Sequence, residues 1–241
     1  QAVVFPPQVG WPCQRPMERH APSALRDTVV PNYIDLGLAQ TSKVSHGTAV
    51  LDASDIALVL DVQREVACSE DILENNPQNR EHVGKRCTFL NKGTDLIRAR
   101  APHVLTKMLR FAVRSWQEGA WGAPDLGNGS CGPLAGLAGV HALSIRVVEH
   151  WEYTVGGKLD DPLHYDAGSV VTIVVLLTDD FVGGVFRTLE SNGTMLEHPM
   201  AAGGGVCFVS HKYHNVTEVQ AGTRRSLVME LWEGGLPLWN R

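Results

Sequence analysis

The triplet His164-Tyr165-Asp166 sets an imidazole and a carboxylate two residues apart. In an extended segment, residues i and i+2 project to the same side, so both groups can reach one metal ion. Alone the pattern is weak, because His-x-Asp recurs by chance in surface loops. A second constellation downstream changes its weight. The segment from His214 to Arg224 reads as a strand, a tight turn at Ala221-Gly222 and a returning strand. His214 and Arg224 are then expected on paired antiparallel strands, both aimed inward. Two imidazoles and one carboxylate leave coordination positions open, which is the arrangement non-haem iron oxygenases use for co-substrate and oxygen. A dicarboxylate co-substrate could chelate the metal at one end. Its other end would meet the planar N–H pair of Arg224. Such an anion also gives a buried arginine the partner it needs. Arg225 faces the opposite way and reads as a surface residue.

Elements that could position these groups follow from the periodicity. Residues 1 to about 30 are proline-rich (Pro6, Pro7, Pro12, Pro16, Pro22) and read as an extended arm. A helix is expected from Ser54, as its cap, to about Cys68. A clearer one starts near Pro102, with Val104, Leu105, Met108, Leu109, Ala112 and Trp116 at three- and four-residue steps. The glycine-rich stretch from Gly119 to Leu137 reads as loop. Beyond about residue 143 the pattern is that of strands. These are expected at Ser144–Thr154, Ser169–Thr178, Gly184–Glu190, Met195–Ala201, Gly205–His211, Asn215–Gln220 and Thr223–Trp232. The fold class is mainly β with supporting helices (α+β), a sandwich or barrel backed by helices. The chain is read as one domain: an arm over 1–50, helical support over 51–140 and a catalytic core over 141–236.

The stretch from about 145 to 233 resembles the catalytic domain of prolyl 4-hydroxylase-like 2-oxoglutarate oxygenases. The residues that carry the resemblance are Tyr153-x-x-Gly156-Gly157, His164-x-Asp166, Phe181-x-Gly183-Gly184-x-Phe186, Gly205-x-Cys207-Phe208-x-Ser210, and His214-x-Val216-x-x-Val219-x-x-Gly222-x-Arg224-x-Ser226. Their order and spacing agree together, although each is unspecific alone. The spacing from Tyr153 to His164 is about two residues longer than in the family, and Val155 replaces a family proline. The resemblance implies a double-stranded β-helix (jelly-roll, cupin-like) backed by N-terminal helices. It implies His164, Asp166 and His214 as iron ligands and Arg224 as the anchor of the distal carboxylate of 2-oxoglutarate. Many prolyl hydroxylases carry lysine there, and arginine is the variant of other branches. Tyr153 matches a tyrosine that helps bind the same co-substrate, and Thr172 is a further candidate for that pocket. The pairing with Arg224 also selects His214 over His211.

The implied cofactors are Fe(II), 2-oxoglutarate and O2, with ascorbate as a candidate reductant. The implied reaction hydroxylates an unactivated C–H bond while 2-oxoglutarate becomes succinate and CO2. Peptidyl proline is the family-level substrate, and free amino acids or small metabolites are the alternative. Relatives that halogenate lack the carboxylate ligand, so Asp166 favours hydroxylation. Nucleic-acid demethylases use an Arg-x5-Arg pair, but the sixth residue after Arg224 is Glu230. A cupin-like barrel that binds a metal or small molecule without turnover is the rival from another class.

Bulk properties fit. The chain has 241 residues, 44% hydrophobic and 20% charged, with net charge −5. That is globular composition without the basic stripe a nucleic-acid binder needs. No apolar run is long enough to cross a bilayer. The partner expected is a peptide or small molecule, with no nucleic acid and no membrane. Five cysteines without a CxxC pair (Cys13, Cys68, Cys87, Cys131, Cys207) suggest mostly free thiols. Sequons occur at Asn128, Asn192 and Asn215. His150 and His198 read as strand-surface or satisfied core residues. Gly183-Gly184 reads as a tight turn, and Cys207 as a small buried hydrophobe.

Overall fold

The computed structural model describes residues 34, 36–68, 84–93, 95–124, 126 and 131–234. The proline-rich arm, Cys13 and the Asn128 sequon lie outside the described residues. In chain order the elements are α1 (Leu36–Thr41), β1 (Ser45–Gly47), α2 (Ala53–Cys68), β2 (Lys85–Phe89), α3 (Leu96–Arg100), α4 (Pro102–Glu118) and β3 (Ser144–Tyr153). Then follow β4 (Val171–Leu176), β5 (Val182–Gly183), β6 (Phe186–Leu189), β7 (Met195–His198), β8 (Gly205–Val209), β9 (His214–Val216), β10 (Val219–Ala221) and β11 (Arg224–Trp232).

The helices form for local reasons. Asp52, rather than the expected Ser54, caps α2: its Oδ1 accepts from the backbone N–H of Ser54 (2.9 Å) and of Asp55 (3.0 Å). Asp55 returns the bond to the Asp52 N–H at 2.8 Å, which closes a capping box. In α4, Pro102 occupies the first turn, and Val104, Leu105, Met108, Phe111, Ala112 and Ser115 form its buried stripe. Between α4 and β3 the described residues hold only one short 3-10 turn, in keeping with the expected loop.

The main sheet is antiparallel throughout, in the order β1-β8-β4-β11-β3-β2. A three-stranded sheet, β7-β6-β9, and a two-stranded one, β10-β5, complete the β structure. Alternation along the strands sorts side chains to two faces. One face (Ile173, Val175, Cys207, Leu227, Met229, Leu231) packs on α2, α3 and α4 through Val59, Val62, Ile97, Val104, Met108 and Phe111. Trp121, fully buried in the same core, donates from Nε1 to the Lys43 carbonyl (3.2 Å). The opposite face carries Val174, Val206 and Phe208 against Phe186 and Val216 of the small sheet. The molecule is thus mainly antiparallel sheet with helices backing one side.

Four details differ from the sequence reading. Strands β1 and β2 arise before residue 141, and hydrogen bonding places them at the two edges of the main sheet. The expected strand Gly184–Glu190 shortens to β6, and β5 forms just before it. The expected Asn215–Gln220 breaks into β9 and β10. His214 and Arg224 do not sit on paired strands: β9 pairs with β6, whereas β11 pairs with β3 and β4. Short strands that change sheet at each turn cannot be told from one continuous strand by alternation alone.

Candidate active site

The segment carrying His164 and Asp166 belongs to no strand and lies between two turns. Two backbone bonds fix it: the His214 N–H donates to the His164 carbonyl (3.0 Å), and the Asp166 N–H donates to the Ser210 carbonyl (3.0 Å). Ligand atoms of His164, Asp166 and His214 all lie within 4.8 Å of one another. Asp166 Oδ1 stands 3.4 Å from His164 Nε2 and 3.7 Å from His214 Nε2. Two donors at right angles on a divalent metal, each at about 2.1 Å, would be about 3 Å apart. Small side-chain movements therefore suffice to close the set.

Two of the three donors are oriented by neighbours. His214 Nδ1 lies 3.0 Å from the Lys212 carbonyl, so it carries the proton and leaves the Nε2 lone pair free. Thr172 donates to Asp166 Oδ2 at 2.6 Å and meets Ser210 Oγ at 2.9 Å, which turns Oδ1 toward the imidazoles. Burial opposes ionisation of Asp166. His214, His164 and the Thr172 hydrogen bond outweigh it, so the carboxyl stays below its ordinary range. Burial also lowers His214, keeping it neutral and able to ligate. Phe186 and Phe208 pack on the His214 ring at 5.5 and 4.9 Å between centroids.

Arg224 is 1% exposed at the start of β11. Its Nη1 donates to Ser226 Oγ (3.0 Å), but Nε and Nη2 are buried with no partner. Those two nitrogens form one edge of the guanidinium, the edge that grips a carboxylate with two parallel bonds. Tyr153 lies directly opposite on β3, its ring 5.6 Å from the guanidinium carbon. Burial raises its phenol above the ordinary range. Gly184, at φ 59°, has room only because it lacks a Cβ, which would sit 2.9 Å from Arg224 Cδ. Gly183 also has positive φ (79°), in keeping with a tight turn.

Other candidates fall where their partners dictate. Thr172 spends its hydroxyl on Asp166 and Ser210 rather than presenting it to a co-substrate. His211 is 2% exposed and packs edge-on against Tyr165 (5.2 Å), outside the ligand cluster. His198 bonds His46 (2.9 Å) and Thr188 (2.7 Å). His150 is buried with Nε2 unpartnered. Arg225 points away from Arg224 and pairs with Glu152 at 2.7 Å. The Asn215 side chain is buried and accepts from Arg187, so it offers no site for a glycan. Cys68, Cys87 and Cys207 are free, and Cys131 is disulfide-bonded. No helix among the described residues is long and apolar enough to cross a membrane.

Two groups escaped the motif reading. Lys212 is fully buried, donating to the Gln40 carbonyl (2.6 Å) and to Glu190 (3.1 Å). Gln40 in turn grips the chain beside His214, donating to the His211 carbonyl and accepting from the Tyr213 N–H. Glu149 and Glu230 share the inner face with Tyr153 and Arg224, a parity visible in the strand pattern. Burial raises both carboxyls, Glu149 to about 7 and Glu230 well above the ordinary carboxylate range.

No protein-family model matches the sequence, and no curated protein matches it significantly. Solved structures do match. The "non-heme alpha ketoglutarate dependent epimerase SnoN from nogalamycin biosynthesis" aligns with TM-score 0.56 and 17% identity, over 82% of this chain and 81% of that one. A 2OG-Fe(II) oxygenase-family oxidoreductase from Burkholderia pseudomallei aligns with TM-score 0.51 and 16% identity, over 79% and 84%. A prolyl hydroxylase from Trichoplax adhaerens, in complex with a hypoxia inducible factor peptide fragment, aligns with TM-score 0.50 and 15% identity, over 83% and 88%. At these identities the likeness shows the fold: the chain has the fold of 2OG-Fe(II) oxygenases, prolyl hydroxylases among them.

Proposed function

We propose that this chain is an Fe(II)- and 2-oxoglutarate-dependent oxygenase that hydroxylates an unactivated C–H bond, built on a double-stranded β-helix core. The observation that carries the reading is Arg224. A buried guanidinium with an empty two-nitrogen edge is costly, and it sits on the inner face of the sheet that also holds Thr172, the partner of Asp166. An anionic co-substrate removes that cost. The donor set suits Fe(II), since two imidazoles and a carboxylate leave positions for chelation and oxygen. When bound, iron with 2-oxoglutarate and oxygen supplies the oxidising power for C–H hydroxylation and releases succinate and CO2.

The chain's own residues do the positioning. His164, Asp166 and His214 hold the metal, and Thr172 and the Lys212 carbonyl fix the last two of these. Arg224, steadied by Ser226 and Tyr153, takes the distal carboxylate. Phe186 and Phe208 exclude water beside His214. The test is succinate formation from 2-oxoglutarate by the Fe(II)-loaded protein, with and without candidate substrates. His164→Ala is expected to abolish it. Intact iron binding without any 2-oxoglutarate consumption would instead favour a non-catalytic cupin-like barrel. The resemblance puts peptidyl proline forward as substrate, and the wall described next favours a different class.

A further inference from the structure

Glu149, Trp151 and Tyr153 alternate along β3 and face the same side, with Tyr153 opposite Arg224 and Glu149 opposite Val228 and Phe89. Glu149 and Trp151 are half-buried. Glu149 Oε2 accepts from Trp151 Nε1 at 2.7 Å. Its other oxygen has no hydrogen-bond partner among the described residues. The same face carries Arg224, Glu230 and Thr172, the partner of Asp166. On the neighbouring strand, Phe89 faces Glu149, and the Lys92 ammonium folds back over the Phe89 ring, 3.6 Å from its centroid. Lys92 is half-buried, and no carboxylate among the described residues lies within ion-pair distance of it. Lys92 and Glu149 sense each other's charge without touching.

A free carboxyl oxygen and a free ammonium thus share one partly desolvated wall. Desolvating two opposite charges without pairing them is unfavourable, and a ligand that presents both charges gives each a partner. The indole of Trp151 supplies a flat apolar surface between strand neighbours.

We infer that the primary substrate is a free α-amino acid, or a similar zwitterion, with its ammonium on Glu149 and its carboxylate on Lys92. The inference rests on the oxygenase reading above. The experiment measures stimulated succinate release with free L-amino acids, their N-acetyl and α-amide derivatives, and an end-blocked proline-rich peptide. Binding of the same probes is measured by calorimetry on protein loaded with Mn(II) and 2-oxoglutarate without oxygen. At least one free amino acid should bind and stimulate release. Blocking either end should weaken binding by about tenfold or more, as losing one charge-assisted hydrogen bond implies. Glu149→Gln and Lys92→Met should raise the KM for that amino acid by a similar factor, with the 2-oxoglutarate Kd as the control for folding. Equal stimulation by the blocked peptide, or no response to any free amino acid, overturns the assignment of substrate class alone. Absence of 2-oxoglutarate binding overturns the oxygenase reading and this inference with it.

Discussion

Replacing Arg224 with methionine separates binding from stability in a way a merely structural arginine would not. The wild-type guanidinium leaves Nε and Nη2 for a ligand. Two hydrogen bonds to a charged group contribute about 1.5–3 kcal/mol each. Their loss should weaken 2-oxoglutarate binding by roughly two to four orders of magnitude. In the ligand-free protein the same change removes a buried cation and leaves only Ser226 without a donor. Replacement of a buried unpaired charge by an apolar side chain of similar length should stabilise by on the order of 2 kcal/mol. For a chain of this size that raises Tm by about 4–8 °C. The assays are calorimetric titration of Mn(II)-loaded protein with 2-oxoglutarate, and thermal unfolding with and without the co-substrate. Wild type should be stabilised by 2-oxoglutarate and the variant should not, while metal affinity stays within about threefold. An unchanged 2-oxoglutarate affinity, or a loss of metal binding, would refute the role given to Arg224.

Further outcomes test the supporting residues. Thr172→Val leaves Asp166 without its orienting hydrogen bond, so metal affinity measured by competition with a chelator should fall by about 10–100-fold; an unchanged affinity would show that Thr172 is dispensable. Gly184→Ala sets a Cβ against Arg224 at a positive φ, and should raise the KM for 2-oxoglutarate while sparing metal binding; equal losses of both would mean general unfolding. Burial holds His150 at about 4 against an ordinary 6.5. Because the unfolded chain takes up that proton first, His150 lowers stability as pH falls from 6.5 toward 4, by up to about 3 kcal/mol. Glu149, raised by burial, acts in the opposite sense, so the comparison is with His150→Leu. The wild type should lose stability relative to His150→Leu as the pH falls from 7 to 4, and a constant difference between the two unfolding curves would reject the assignment.

The grouping of His164 with Asp166 was legible because the two are only two residues apart, and the clustering of His214 with them followed the motif rather than the expected strand pairing. The long elements α4, β3 and β11 were legible too, since each sustains its period over many residues. What stayed hidden depended on distant pairing. The strands β1 and β2 are short and become strands by bonding to β8 and β3. The sheet membership of β9 follows from pairing with β6, which no pattern in 214–224 records. No local pattern marks Lys212 as buried, because its partners, Gln40 and Glu190, come from elsewhere in the chain.

The grip of Gln40 on the chain around His214 ties this candidate ligand to a helix laid down far earlier in the sequence. Contacts of such long separation form late, after the entropy of closing the loop has been overcome. A chain whose sheets have assembled but whose first helix has not docked would hold His164 and Asp166 near one another and leave His214 loose. On the proposed reading, metal uptake would therefore report on the finished molecule.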